Sequence, residues 1–176
     1  MASTRCDIEV ELEKWLDGAE KVVVAGIGNP LRMDDFVGVR IVQGLQGKVS
    51  GEVMLIECEA VPESFIQQIE DFGPSHILLV DAAILELKSG QACLVKPERL
   101  SSLPAFSTHM LPIRLFCEYL AKATRAKIGL LLIQPEETAF GEGLSSEVEA
   151  SARSLVRILE NLLPQRQAGN ADLPPP

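Results

Sequence analysis

The sequence predicts an α/β fold, a three-layer α/β/α sandwich built on a five-stranded, mostly parallel twisted sheet. Two observations predict it: five short apolar runs recur along the chain, and segments with apolar residues at helical spacing separate most of them. Strands that alternate with helices form crossover units, and the crossovers cover both faces of a parallel sheet.

Ile8 to Asp17 places Ile8, Leu12, Trp15 and Leu16 on one face, which predicts a helix packed on the sheet. Lys21 to Ala25 is a β-branched run ending at glycines and forms the first strand. Val53 to Ile56, Ile77 to Val80, Ala92 to Val95 and Ile128 to Ile133 follow as the other four. Helical periodicity marks Phe36 to Leu45, Glu63 to Phe72 and Pro112 to Ala123, which precede the second, third and fifth strands. No helix precedes the fourth strand, so it follows the third through a short connection and runs antiparallel to its neighbour. Ser145 to Leu163 closes the fold as a long helix, with Ser145 or Ser146 as N-cap and Glu147 and Glu149 in the first turn. A single domain is expected over residues 1–163. Residues 164–176 are polar and aperiodic, contain Gly and Pro, and read as a disordered tail.

Composition narrows the function. A chain of 176 residues, 47% apolar, suffices for one full core. The net charge of -9 leaves no broad positive field, which argues against nucleic acid as the main partner. The apolar runs have strand length and the first residues lack the apolar stretch of a secretion signal, so no membrane association is expected. Cys6, Cys58, Cys93 and Cys117 show no C-x-x-C spacing, and three of them lie in apolar segments, which fits a reducing cytoplasm.

Polar residues at the ends of the apolar runs suggest chemistry. The first strand feeds Gly26-Ile27-Gly28-Asn29-Pro30-Leu31-Arg32-Met33-Asp34-Asp35, the third ends at Asp81, and His109 follows Ser107-Thr108. In an open parallel sheet, ligands sit outside the carboxyl ends of the strands, where both acids would meet. Asp35, Asp81 and His109 would supply three ligands to a transition metal such as nickel or zinc and leave positions open for a substrate. Thr108 could cap the following helix or orient the imidazole. Each residue taken alone also has a structural reading. Glycines turn a chain tightly, a loop histidine can be satisfied by its neighbours, and a strand-end acid can hold a loop. Asp34 is assigned the structural role, capping the helix that follows. The dinucleotide fingerprint fails, because Leu31 stands where its third glycine belongs. Cys58 has no histidine nearby in sequence and reads as packing.

Four segments in register resemble the hydrogenase maturation endopeptidases: Gly26-x-Gly28-Asn29-x-Leu31-x-x-Asp34-Asp35-x-x-Gly38, Val80-Asp81-Ala82, Thr108-His109-x-x-Pro112 and Ile133-Gln134-Pro135. The pattern is that of the formate-hydrogenlyase-associated type, and it covers roughly Lys21 to Leu163. The resemblance implies an aspartic-type peptidase that cuts a C-terminal extension from a [NiFe]-hydrogenase large-subunit precursor once nickel is in place. By position it implies that Asp35, Asp81 and His109 contact nickel held by that precursor, so the enzyme needs no tightly bound metal of its own. Asp35 or Asp81 would activate the water. One departure stands out: Ile56-Glu57-Cys58-Glu59-Ala60-Val61-Pro62-Glu63 carries Glu59 where the family has a glycine. Glu59 either limits the approach of the substrate tail or simply points to solvent.

Two other readings remain open. A peptidyl-tRNA hydrolase-like esterase shares Gly-x-Gly-Asn-Pro, but Asp34-Asp35 stands where its histidine-asparagine pair would follow, and a charge of -9 suits tRNA poorly. A non-catalytic nickel-sensing assembly factor would use the same three ligands, although a metal-storage protein would carry more Cys and His than the two histidines here.

Overall fold

The computed structural model describes residues 7–103 and 110–164. Five strands, β1 (Val22–Ile27), β2 (Val53–Glu59), β3 (His76–Ala82), β4 (Ala92–Val95) and β5 (Lys127–Ile133), form one sheet in the order β2-β1-β3-β5-β4. The first three and β5 run parallel, and β4 pairs antiparallel with β5 at the sheet's edge. Five helices cover it: α1 (Ile8–Leu16), α2 (Val37–Leu45), α3 (Ile66–Phe72), α4 (Met110–Thr124) and α5 (Ser146–Leu162).

Period-two alternation within the strands separates two cores. Val22 and Val24 of β1, Leu78 and Val80 of β3, and Leu131 and Ile133 of β5 face α1, α2 and α5. Their neighbours Val23, Ala25, Ile77, Leu79, Leu130 and Leu132 face α3 and α4. Asp81 shares the parity of Ile77 and Leu79, so its side chain emerges on the α3 and α4 face. It lies one residue inside β3 rather than at its end, because pairing with β5 runs on to Ala82.

Several expected boundaries shift for local reasons. A 3-10 turn, Pro62–Phe65, takes up the start of the expected Glu63 to Phe72 helix, and Val61 before Pro62 leaves the helical region as a residue preceding proline tends to do. Another 3-10 turn, Met33–Phe36, precedes α2 and carries both Asp34 and Asp35. Pro164, expected to open the tail, is tied to the domain, its carbonyl accepting the Ser50 N–H at 2.9 Å. The rest of the expected tail, 165–176, lies outside the described residues. No helix among the described residues is long and apolar enough to cross a membrane.

The carboxyl ends of β1 and β3 are packed against the start of α2 without side chains between. A Cβ on Gly38 would collide with the carbonyls of Val80 and Ile27, and one on Gly26 with the Gly38 carbonyl. Gly28 makes the same close approach to the Asp35 carbonyl. These glycines allow two backbones to touch, and the touch brings the Asp35 turn to the end of β3.

Gly38→Ala is therefore expected to destabilise the protein by at least about 3 kcal/mol, since backbone rather than a flexible side chain must yield. Gly51→Ala, which meets no atom within 4 Å, should stay within about 0.5 kcal/mol of wild type. Urea denaturation of the two variants checks the contrast.

Candidate active site

Between the paired neighbours β1 and β3 the strand order reverses, since β1 leads outward to β2 on one side and β3 to β5 and β4 on the other. Such a switch point opens a crevice at the carboxyl edge. Asp81 stands there fully enclosed, with its Oδ1 accepting the Ala82 N–H at 2.8 Å. Burial first, and then the negative charge of Asp35, raise its pKa from 3.8 to about 8, with the Ala82 N–H opposing both. At neutral pH the Asp81 carboxyl is held largely as the acid. Its neighbour is different. Asp35 is half-buried and its Oδ2 accepts the Asn29 N–H at 2.9 Å, while the Asn29 Oδ1 accepts the Leu31 N–H at 2.9 Å. The Gly-Asn loop thus orients one carboxylate and the strand delivers the other.

Asp34 is structural, but it is not the helix cap that its position suggested. Its buried carboxylate accepts four hydrogen bonds: from the N–H groups of Glu136 and Glu137 at 2.9 Å, from the Ser145 N–H at 2.7 Å and from the Ser145 Oγ at 2.8 Å. This ties the loop after β5 to the loop after β1. The Ser145 hydroxyl is consequently spent on Asp34 and does not cap α5. Gln134, which ends the β5 run, plays a similar part unassigned by the sequence reading. Its Oε1 accepts the Leu85 N–H at 2.7 Å and the Leu87 N–H at 3.3 Å, joining the loop after β3 to the end of β5. A polar residue directly after six buried ones was the available signal.

The third expected ligand, His109, and its neighbour Thr108 lie outside the described residues. His109 immediately precedes α4, the helix on the face to which Asp81 points. Among the described residues no group of three or more His, Cys, Asp or Glu could hold a metal ion. Two carboxylates are what the described chain brings together. Glu59 is exposed and takes a φ of 50°, the left-handed region that favours glycine, and its carbonyl accepts the Gly28 N–H at 2.8 Å. The family's glycine at this position therefore has a conformational reason. Cys58 is buried and its thiol is pushed up to about 12 by burial, with Glu63 adding to it, so it is no nucleophile. His76 is also buried, edge-on to Trp15 with ring centroids 5.1 Å apart, and burial with the nearby Lys127 lowers its pKa.

Comparison with known proteins points to a family. The profile of the HycI-type hydrogenase maturation protease family matches residues 39–162, a span that holds Asp81 and His109 and begins just after Asp35. A Methanocaldococcus jannaschii protein that carries the hydrogenase maturation protease name is 33% identical over 163 residues, 88% of this chain and 95% of that one. The hydrogenase 3 maturation protease of Escherichia coli is 23% identical over 138 residues, 78% of this chain and 88% of its own. The crystal structure of the [NiFe] hydrogenase maturation protease HycI from Thermococcus kodakarensis superposes with a TM-score of 0.80 at 31% identity, covering 87% of this chain and 98% of that one.

The raised pKa of Asp81 fixes a pH dependence. Below about pH 4 the carboxyl is protonated in folded and unfolded chains alike, so it costs little. Between 3.8 and about 8 the unfolded chain releases the proton that the folded chain keeps, so this group's contribution to stability falls as pH rises. His76 acts oppositely, losing stability as pH falls below 6.5. Asp81→Asn should remove the first effect and leave the second. Wild type should lose stability relative to this variant between pH 4 and 8 in urea titrations, and parallel curves would show that Asp81 is not held as the acid.

Proposed function

This chain belongs to the hydrogenase maturation protease family, and from that premise we propose that it removes the C-terminal extension of a nickel-loaded [NiFe]-hydrogenase large-subunit precursor. The observation that carries the reading is the pairing of a buried acid, Asp81, with an oriented carboxylate, Asp35, at the switch point of the sheet.

Nickel belongs to the substrate. Carboxylate and imidazole donors suit that metal, and Asp35, Asp81 and His109 would contact it while the precursor's own ligands keep the rest of its coordination sphere. A cation beside Asp81 favours the ionised carboxylate, so its proton leaves when the loaded precursor docks. Without the metal the site carries one charge; with it, two. The metal state of the precursor is read through that change. Hydrolysis then needs a base for water. Asp35, the less enclosed of the two, takes a proton as the water oxygen bonds to the scissile carbonyl carbon, and the proton passes to the amine when the C–N bond breaks. This gives the pair the work of an aspartic-type peptidase. A reducing cytoplasmic setting suits the buried thiols of Cys58 and Cys117.

Asp35→Asn should lower processing at least about a hundredfold, because an amide is neither a base nor a good metal ligand. The thermal midpoint should stay close to wild type, since the side chain is only half-buried. His109→Ala should likewise weaken processing more than stability. Mass spectrometry of the precursor, with and without nickel, checks both. Undiminished cleavage by Asp35→Asn removes that residue from the site, equal cleavage of nickel-free precursor contradicts the gating, and binding without cleavage identifies an assembly factor.

A further inference from the structure

Of the eight large hydrophobic residues exposed among the described ones, five (Leu31, Val61, Ile84, Leu87 and Phe140) sit on the loops that follow β1, β2, β3 and β5. Those loops surround Asp35 and Asp81. The other three lie on α1 and α4. Concentrating apolar surface at one edge of a sheet marks a contact surface, because scattered single residues would need no explanation.

Phe140 is the extreme case, 84% exposed. A floppy loop could explain such exposure, but this loop is pinned. The Gly141 N–H donates to the Leu31 carbonyl at 2.9 Å, the Met33 N–H to the Gly141 carbonyl at 3.0 Å and the Asp34 N–H to the Glu137 carbonyl at 3.0 Å. Arg32 Nε adds a bond to the Thr138 carbonyl at 3.2 Å, and Asp34 holds both ends of the same loop. Phe140 is thus presented beside Leu31 on a preorganised support, which lowers the entropy lost on binding. Beside them a groove of about 320 Å³ is walled by Pro30, Leu31, Phe36 and Leu144 together with the charged Arg40, Glu142 and Glu149.

Charge describes the partner. The same loops, with Glu59 at the end of β2, carry the exposed acids Glu63, Glu86, Glu136, Glu137 and Glu142 against the two bases Arg32 and Lys88. The opposite edge of the sheet carries the six bases Lys21, Lys48, Lys96, Arg99, Arg125 and Lys127 against the four exposed acids Asp17, Glu20, Glu52 and Glu98. The molecule is polarised, with its acidic end at the site. We propose that Leu31 and Phe140 anchor a folded protein partner whose docking face is an apolar depression bounded by Lys and Arg, and that this partner is the precursor to be processed. The proposal rests on the peptidase reading for the partner's identity, but the surface itself is independent of the metal. Docking contacts of this kind select the client; the two carboxylates then test its nickel.

The test is equilibrium binding of the full chain to the immobilised nickel-free precursor, alongside cleavage of the nickel-loaded one. Wild type should bind, more weakly as salt is raised, and Phe140→Ala should weaken binding roughly thirtyfold, the loss expected of an aromatic anchor. Its thermal midpoint should not move, because the side chain contributes almost nothing to the core. Glu136→Gln with Glu142→Gln should blunt the salt dependence. Equal binding by Phe140→Ala, or no binding of the nickel-free precursor by wild type, overturns the proposal. Phe140-dependent binding without cleavage of the loaded precursor sustains the docking surface and removes the peptidase reading instead.

Discussion

The contact between the backbone of α2 at Gly38 and the carboxyl ends of β1 and β3 is the constraint from which the site follows. With Val80 and Ile27 carbonyls occupying the space of any Cβ there, the helix start can lie on the strands themselves. The 3-10 turn just before it is then carried over the end of β3, and Asp35 comes to rest near enough to raise the pKa of Asp81. A larger residue would lift the helix away and separate the two acids. The glycines are therefore part of the chemistry, although no glycine atom takes part in a reaction.

Placing a carboxyl group in a closed apolar strand is costly when it ionises, and a fold under no other demand would replace Asp81 with an aliphatic residue. Its retention makes sense if the charge is needed only when a cation is present. Asp34 shows the alternative use of a buried acid. It sits next to Asp35 in sequence, yet four donors satisfy it and none of its capacity is left for a ligand. One acid of the pair holds the loops together so that the other can be held open. The loop fixed in this way also carries Phe140 outward, so the site and the surface around it share a single scaffold.

Much of the fold was legible because apolar alternation and glycine punctuation are local signals. All five strands and all five helices stand where periodicity places them, and β4 is antiparallel as the missing crossover helix requires. Its neighbour is β5 rather than the strand before it, a long-range choice with no local signature. That Asp35 and Asp81 lie at the carboxyl edge of the sheet was legible, because each follows an apolar run of strand length. The role of Asp34 was not, because its partners lie more than a hundred residues away. Phe140 was invisible for a related reason: whether an aromatic side chain is buried or presented depends on loops that meet only in the folded chain. Glu59 shows the reverse case, since its left-handed backbone explains the glycine expected there.

Asp81 keeps its proton because it is buried beside the charge of Asp35. Carbon-detected NMR titration of the aspartate carboxyl groups measures this directly, in wild type and in Asp35→Asn. Asp81 should titrate near pH 8 in wild type and at lower pH once the neighbouring charge is gone. Titration near 3.8 in both proteins would contradict it, and the two carboxylates would then be equivalent surface acids rather than a pair set apart by the fold.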